Sequence, residues 1–239
     1  MSFAGRILQK EGLLGLHICY EMGLPSGTSR GDVLALLAAL RSRVEHLPFD
    51  EITEIREFAG ADCETVPGKE SWTDPWVLFR IAAMARILKN SEDDPDLLIA
   101  PHYAAGFMIL AGKRCEPAAF GFSQAPDTLH VRHPGWHWHY CCKTQYASVV
   151  SEAHLLRCHL GLIAVLDAAR ELGIEVTVRD ETGYDEHRDE KHLLETVQAE
   201  NKLIARVAGR LADQLDTPNS KTVAPIFEHP CFEHLEGGQ

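Results

Sequence analysis

The chain has no Cys-x-x-Cys pair, no basic run, no long unbroken apolar run and no complete nucleotide-binding or hydrolase signature. Each absence closes a class of function. A formal charge of −12 without a basic cluster argues against nucleic acid, whose phosphate backbone demands a cationic surface. No stretch approaches the roughly 20 apolar residues needed to cross a bilayer. The opening MSFAGRILQKEGLLGLHICYEM lacks the charged region, long apolar core and small-residue cleavage site of a signal peptide. A cytoplasmic protein without a membrane partner is therefore expected. The seven cysteines are odd in number and scattered, which predicts reduced thiols in a reducing compartment. The loop 23–32 has neither the GK[ST] of a P-loop nor GxGxxG spacing. GFSQA at 121–125 lacks the final glycine of a nucleophile elbow.

What is present is ordinary globular material: 239 residues, 45% hydrophobic and 24% charged, enough for a proper core. No repeat or linker divides it, so residues 1–216 read as one domain and 217–239 as a tail docked on the body. Residues 14–22 form an apolar run with strand character. Ser29 and Asp32 have capping-box spacing before a helix, with Val33, Leu36, Leu37, Leu40 and Val44 at the 3.6-residue period. A strand is expected over 51–58 and a loop over 59–73. Asp74–Pro75 starts a second helix with a stripe from Val77 to Leu88. The runs LLIAPHY, GFMILAG and AAFGFSQ read as a meander continued by 130–146. A helix follows from Ser151 to Leu172 with Gly173 beyond its end, then the strand IEVTV at 174–178 and an acidic loop. The last helix reaches about Leu215, with Leu194, Val197, Ile204, Ala208, Leu211 and Leu215 as its stripe and Asn201 interrupting it. The sum is an α+β domain with a mixed, largely antiparallel sheet and flanking helices.

The chemistry concentrates in HVRHPGWHWHYCCKTQY, residues 130–146. As a strand, it places His137, His139, Cys141 and Lys143 on one face and Trp136, Trp138, Tyr140 and Cys142 on the other. His137, His139 and Cys141 are the candidate ligands for a divalent transition metal. A third or fourth donor would come from His102, His133, His154 or the acids of 180–190. Lys143, Thr144, Gln145 and Tyr146, with Asn201, are candidates for a ligand-binding pocket. Asn201 also reads as a polar contact that fixes register. His154 and Cys158 share a helix face as i and i+4, while His159 falls among leucines and must find a buried partner. Asp180, Glu181, Asp185, Glu186 and Asp189 read either as a cation site or as a solvated loop before a helix. HPCFEH at 229–234 is a lesser metal candidate.

The succession CKTQYAS (142–148), RCH (157–159) and GIEVTVRDETGYDEHRD (173–189) resembles a set of bacterial proteins of no assigned activity that carry a similar CKTQYA segment before a similar helix and strand. The resemblance covers roughly the C-terminal half. It implies a shared fold and a cytoplasmic bacterial origin, and carries no activity with it. Three functions follow as expectations. The first is a domain binding a small molecule or protein partner at the face around 137–146. The second is a metal-dependent hydrolase in which His137 and His139 hold the ion. The third is a homo-oligomer joined through its aromatic face or its tail.

Overall fold

The fold is known from a computed structural model, which describes residues 16–25, 27–64, 74–86, 98–125, 135–215 and 225–229. The expected start of the first strand at 14–15, Leu88, His130, His133 and the tail's Cys231, Phe232 and Leu235 lie outside them.

Strand β1 (Ile18–Leu24) leads into helix α1 (Arg30–Val44). Ser29 caps α1 in a reciprocal capping box with Asp32. Two short strands come next, β2 (Glu51–Ile52) and β3 (Arg56–Ala59), in place of the single strand expected. The break has a local cause. Thr53 Oγ1 accepts the Met108 amide at 2.9 Å, so a side chain occupies a ladder position and regular pairing resumes only at Arg56. Asp74 caps helix α2 (Pro75–Ala82) through the Trp76 amide, with proline at the first position. That helix stops short of Leu88, and β4 (Ala85–Arg86) pairs with β5 (Leu98–Ile99) in a separate two-stranded ladder. Leu98 and Ile99, expected in the meander, therefore leave the main sheet.

The hairpin of β6 (Tyr103–Leu110) and β7 (Ala118–Gln124) follows, then β8 (Trp136–Cys142). A 3₁₀ turn at Gln145–Val149 leads into α3 (Glu152–Glu171), capped by Ser151. Gly173, at φ 82°, takes the left-handed conformation that ends such helices. The chain closes with β9 (Glu175–Asp180), the short α4 (Tyr184–His187), the long α5 (Glu190–Leu215) and a 3₁₀ turn at Pro225–Glu228.

Seven strands make one sheet in the order β2-β6-β7-β8-β1-β9, with β3 also on β6. Every pairing among the described residues is antiparallel. Side chains alternate between faces, so the nearly unbroken burial of β6 and β7 means both faces of this hairpin are covered. Gly106 lies opposite Gly121 across the hairpin, and the Phe79 ring of α2 fills the notch that these two leave. Phe79 then meets Trp138 at 4.6 Å between ring centres. Tyr20 Oη and Trp138 Nε1 both donate to the Ala119 carbonyl at 2.7 Å, fastening β1 and β8 to β7 beyond their two registered pairs.

Leu193 and Val197 of α5 join the main core. Farther along, Ile204, Ala205 and Ala208 form a second cluster with Ile226 of the last turn. Leu211, expected in the buried stripe, is 41% exposed.

One expectation is overturned outright. Cys19 and Cys141 face each other across β1 and β8 and are joined by a disulfide. The thiol count no longer argues for a reducing compartment. Cys63, Cys115, Cys142 and Cys158 are free thiols. Among the described residues no helix is long and apolar enough to cross a membrane.

Candidate functional site

The strand β8 splits as its alternation predicts. Trp136, Trp138 and Cys142 are buried, while His139 is exposed and His137 half-buried. Cross-strand register extends this outward face over neighbouring strands. One rung carries Ser123, His137, Gly23 and Glu175 from β7, β8, β1 and β9. The next carries His139, Glu21 and Thr177, and the third holds the Cys141–Cys19 disulfide beside Arg179. A groove of about 280 Å³ runs over the first two rungs, lined by Glu21, Gly23, His137, His139, Glu175 and Thr177 among others. Gly23 shapes its floor: a Cβ there would reach open space except for Glu175 Oε2 at 3.7 Å. The disulfide lies one rung beyond, with His139 Nε2 at 4.0 Å from Cys141 Sγ and Arg179 Nη2 at 4.0 Å from Cys19 Sγ.

The metal candidates come together only in part. His137 and His139 share the groove, but Cys141 is oxidised and supplies no thiolate. Among the described residues no group of three or more His, Cys, Asp or Glu side chains is placed to hold an ion. His102 bonds Gln124 Oε1 at 3.1 Å, and His154 turns to the Lys113 carbonyl at 2.9 Å.

The pocket candidates Lys143, Thr144, Gln145, Tyr146 and Asn201 lie past the end of β8 and are largely engaged with protein. Lys143 is tied to Glu116 through its amide and carbonyl. Gln145 accepts the Leu16 amide and donates to Asn201 Oδ1, each at 2.8 Å. Asn201 in turn donates to Ser148 Oγ at 3.0 Å. This chain joins the start of β1, the turn before α3 and α5, with Asn201 as its link to α5. Tyr146 is half-buried, and burial pushes its hydroxyl pKa up.

His159 finds the partners its burial demands. Its Nδ1 meets Thr144 Oγ1 at 2.8 Å and its Nε2 meets Asp180 Oδ2 at 3.1 Å. Burial works against the Asp180 charge, but hydrogen bonds from His159 and Thr182 outweigh it and hold the carboxyl at about 2. The order hydroxyl, imidazole, carboxylate is that of a nucleophilic relay. However, Thr144 is 3% exposed and the His159 and Asp180 side chains 1%, which leaves a substrate no approach to the hydroxyl. The set is a fastener joining α3, β9 and the turn after β8.

Three more acids of 180–190 are spent in the same way. Glu181 accepts the His17 amide at 2.9 Å, Asp185 pairs with Arg170 and Arg188, and Asp189 takes the amides of Lys191 and His192 at the start of α5. Sequence reasoning missed the disulfide and the contribution of Glu21 and Glu175 to the groove. Both follow from strand order, which no local pattern encodes. With this geometry in hand, no protein-family model, curated protein or solved structure matches the chain.

Proposed function

We propose that the protein is a binding domain whose open sheet face holds a small polar ligand bearing an amine or guanidine. One observation carries this reading: the groove sets the carboxylates of Glu21 and Glu175 around a side-chain-free floor at Gly23, with two imidazoles on the adjoining strand. Carboxylates suit a cationic centre, and imidazoles accept or donate hydrogen bonds to hydroxyl or amide groups. The net charge of −12 favours the approach of cations. A volume of about 280 Å³ lies at the low end for ligand sites, so a compact ligand is expected, held at a Kd on the order of 1 mM or tighter. The hydrolase alternative keeps two imidazoles but has no third donor placed with them among the described residues.

The reading is tested by following the His137 and His139 ring resonances during separate titrations with 1,4-diaminobutane and with zinc. The diamine is expected to shift both rings in the wild type and neither in Gly23→Leu, which fills the floor. Rings that ignore the diamine but respond to stoichiometric zinc would replace this reading with the metal one.

A further inference from the structure

The Cys19–Cys141 disulfide stands on the outward face of the sheet, and the binding groove makes no use of its sulfurs. Its neighbours are groups with chemistry of their own. His139 Nε2 is 4.0 Å from Cys141 Sγ, and Arg179 Nη2 is 4.0 Å from Cys19 Sγ. Glu21 lies opposite His139 in the register and two residues along β1 from Cys19. Two sulfurs, an imidazole and a carboxylate thus take the four corners of two adjacent rungs. Cys141 is half-buried, while His139 and Glu21 are exposed, so the patch is open to solvent from the uncovered side of the sheet.

The bond between the sulfurs decides what this patch can do. While it is intact neither sulfur is a thiolate, and among the described residues no group of three or more His, Cys, Asp or Glu side chains is placed to hold an ion. Reduction turns both sulfurs into zinc ligands. Tetrahedral zinc, with Zn–S about 2.3 Å and Zn–N about 2.0 Å, sets a sulfur and a nitrogen about 3.5 Å apart and two sulfurs about 3.8 Å apart. The 4.0 Å between His139 Nε2 and Cys141 Sγ is within about 0.5 Å of the first spacing. The second is close to the contact distance of unbonded heavy atoms, about 3.5–4 Å, which the sulfurs take up once released from each other.

We infer that the reduced chain holds one zinc ion through Cys19, Cys141 and His139, with Glu21 as the fourth donor, and that forming the disulfide expels it. A dithiol supplies the two electrons and two protons that open the disulfide and is itself oxidised to a disulfide. Zinc then displaces the two thiol protons into solvent. In the reverse direction a small disulfide takes two electrons from the thiolates and two protons from solvent and becomes two thiols. The protein sulfurs rejoin, and the ion leaves with two of its four ligands gone. Charge suits the site. Zinc with two thiolates, one carboxylate and a neutral imidazole carries a single negative charge. The Arg179 guanidinium beside Cys19 offsets it and favours thiolate over thiol. His137 has no part in this site. The amine-binding reading concerns the disulfide form, so the two stand or fall separately.

Metal-free full-length protein is divided into an untreated half and a half reduced with a phosphine that is then removed under nitrogen. Each half is titrated with cobalt(II), whose thiolate charge-transfer band reports sulfur ligation, and bound cobalt is then displaced with zinc. The reduced form is expected to take up one cobalt per chain beyond the untreated form, about 100-fold more tightly or better. Glutathione disulfide is expected to bleach the band. Cys141→Ser and His139→Ala should each weaken uptake by roughly 30-fold or more, and His137→Ala by less than about 3-fold. Equal uptake by the two halves, a band that persists in Cys141→Ser, or an equal loss in His137→Ala would overturn the inference. Reduced wild type that takes up no cobalt, folded or not by near-ultraviolet circular dichroism, would overturn it as well. The wild-type pair involves no substitution, so a variant that folds poorly does not blunt the test.

Discussion

The two halves of the sheet share one architecture and do opposite things. In β6 and β7 the residues are apolar or small and buried on both sides, and the strands approach so closely that two glycines are needed to seat one phenylalanine. In β9 the burial alternates throughout, and in β8 and β1 it alternates over part of the strand; the outward rungs carry histidine, glutamate, threonine, arginine and a disulfide. The covered half has little freedom to vary, since its interior is close-packed and any added atom must displace another. The open half leaves one face without packing demands, so polar groups can gather there at little cost to the fold. Function is expected on the open half and stability in the covered one.

Gly106→Ala is the harshest test of that division. Its Cβ would stand 2.3 Å from the Phe120 carbonyl, 2.6 Å from Gly121 Cα and 2.7 Å from Phe79 Cε2. Two of those three neighbours are backbone and cannot rotate away. Overpacking of this kind costs roughly 3 kcal/mol or prevents folding. Urea unfolding of the variant should show a midpoint far below wild type, and an unchanged midpoint would mean that the hairpin is not packed as described.

A smaller effect is expected at the buried polar set that joins α3, β9 and the turn after β8. The Asp180 carboxyl is held at about 2, below the ordinary aspartate value near 3.9. A depressed acid stabilises the fold above its unfolded pKa, and that contribution is lost as pH falls through the folded value. The difference corresponds to about 2 kcal/mol, present at pH 5 and fading between pH 4 and 2. Asp180→Asn should remove it. The gap in unfolding free energy between wild type and variant would then narrow across that window, and a gap constant down to pH 2 would show that the carboxylate charge does not matter.

How legible this was varied with the range of the signal. The capping box at Ser29 and Asp32, the Asp74–Pro75 start, the Gly173 end and the two-faced β8 are written in neighbouring residues, and the structure has them as read. The burial of His159 was readable, but its partner was not, because Asp180 lies 21 residues away on another element. The groove needed strand order. Glu21 and Glu175 become neighbours of His137 and His139 only once β1 is known to lie between β8 and β9. The Cys19–Cys141 disulfide spans 122 residues and is hidden for the same reason. Within the run KTQY, the partners of Thr144 and Gln145 come from distant segments: His159 for Thr144, and Leu16 and Asn201 for Gln145.

The smallest effect is also the sharpest comparison, since the chemical change is the one made at Gly106. Gly23 sits inside a strand too, but on the open face, where the only atom within 4 Å of an added Cβ is Glu175 Oε2 at 3.7 Å, an ordinary contact. Glycine inside a strand is itself unfavourable by roughly 0.5–1 kcal/mol relative to alanine. Gly23→Ala should therefore leave stability unchanged or raise it by up to about 0.5 kcal/mol, while trimming the floor of the groove by one methyl group. The pair of unfolding curves, Gly23→Ala against Gly106→Ala, measures the asymmetry of the sheet directly. Equal losses at the two positions would mean that something covers the face over Gly23, and the groove would then be an interior surface instead of a binding site.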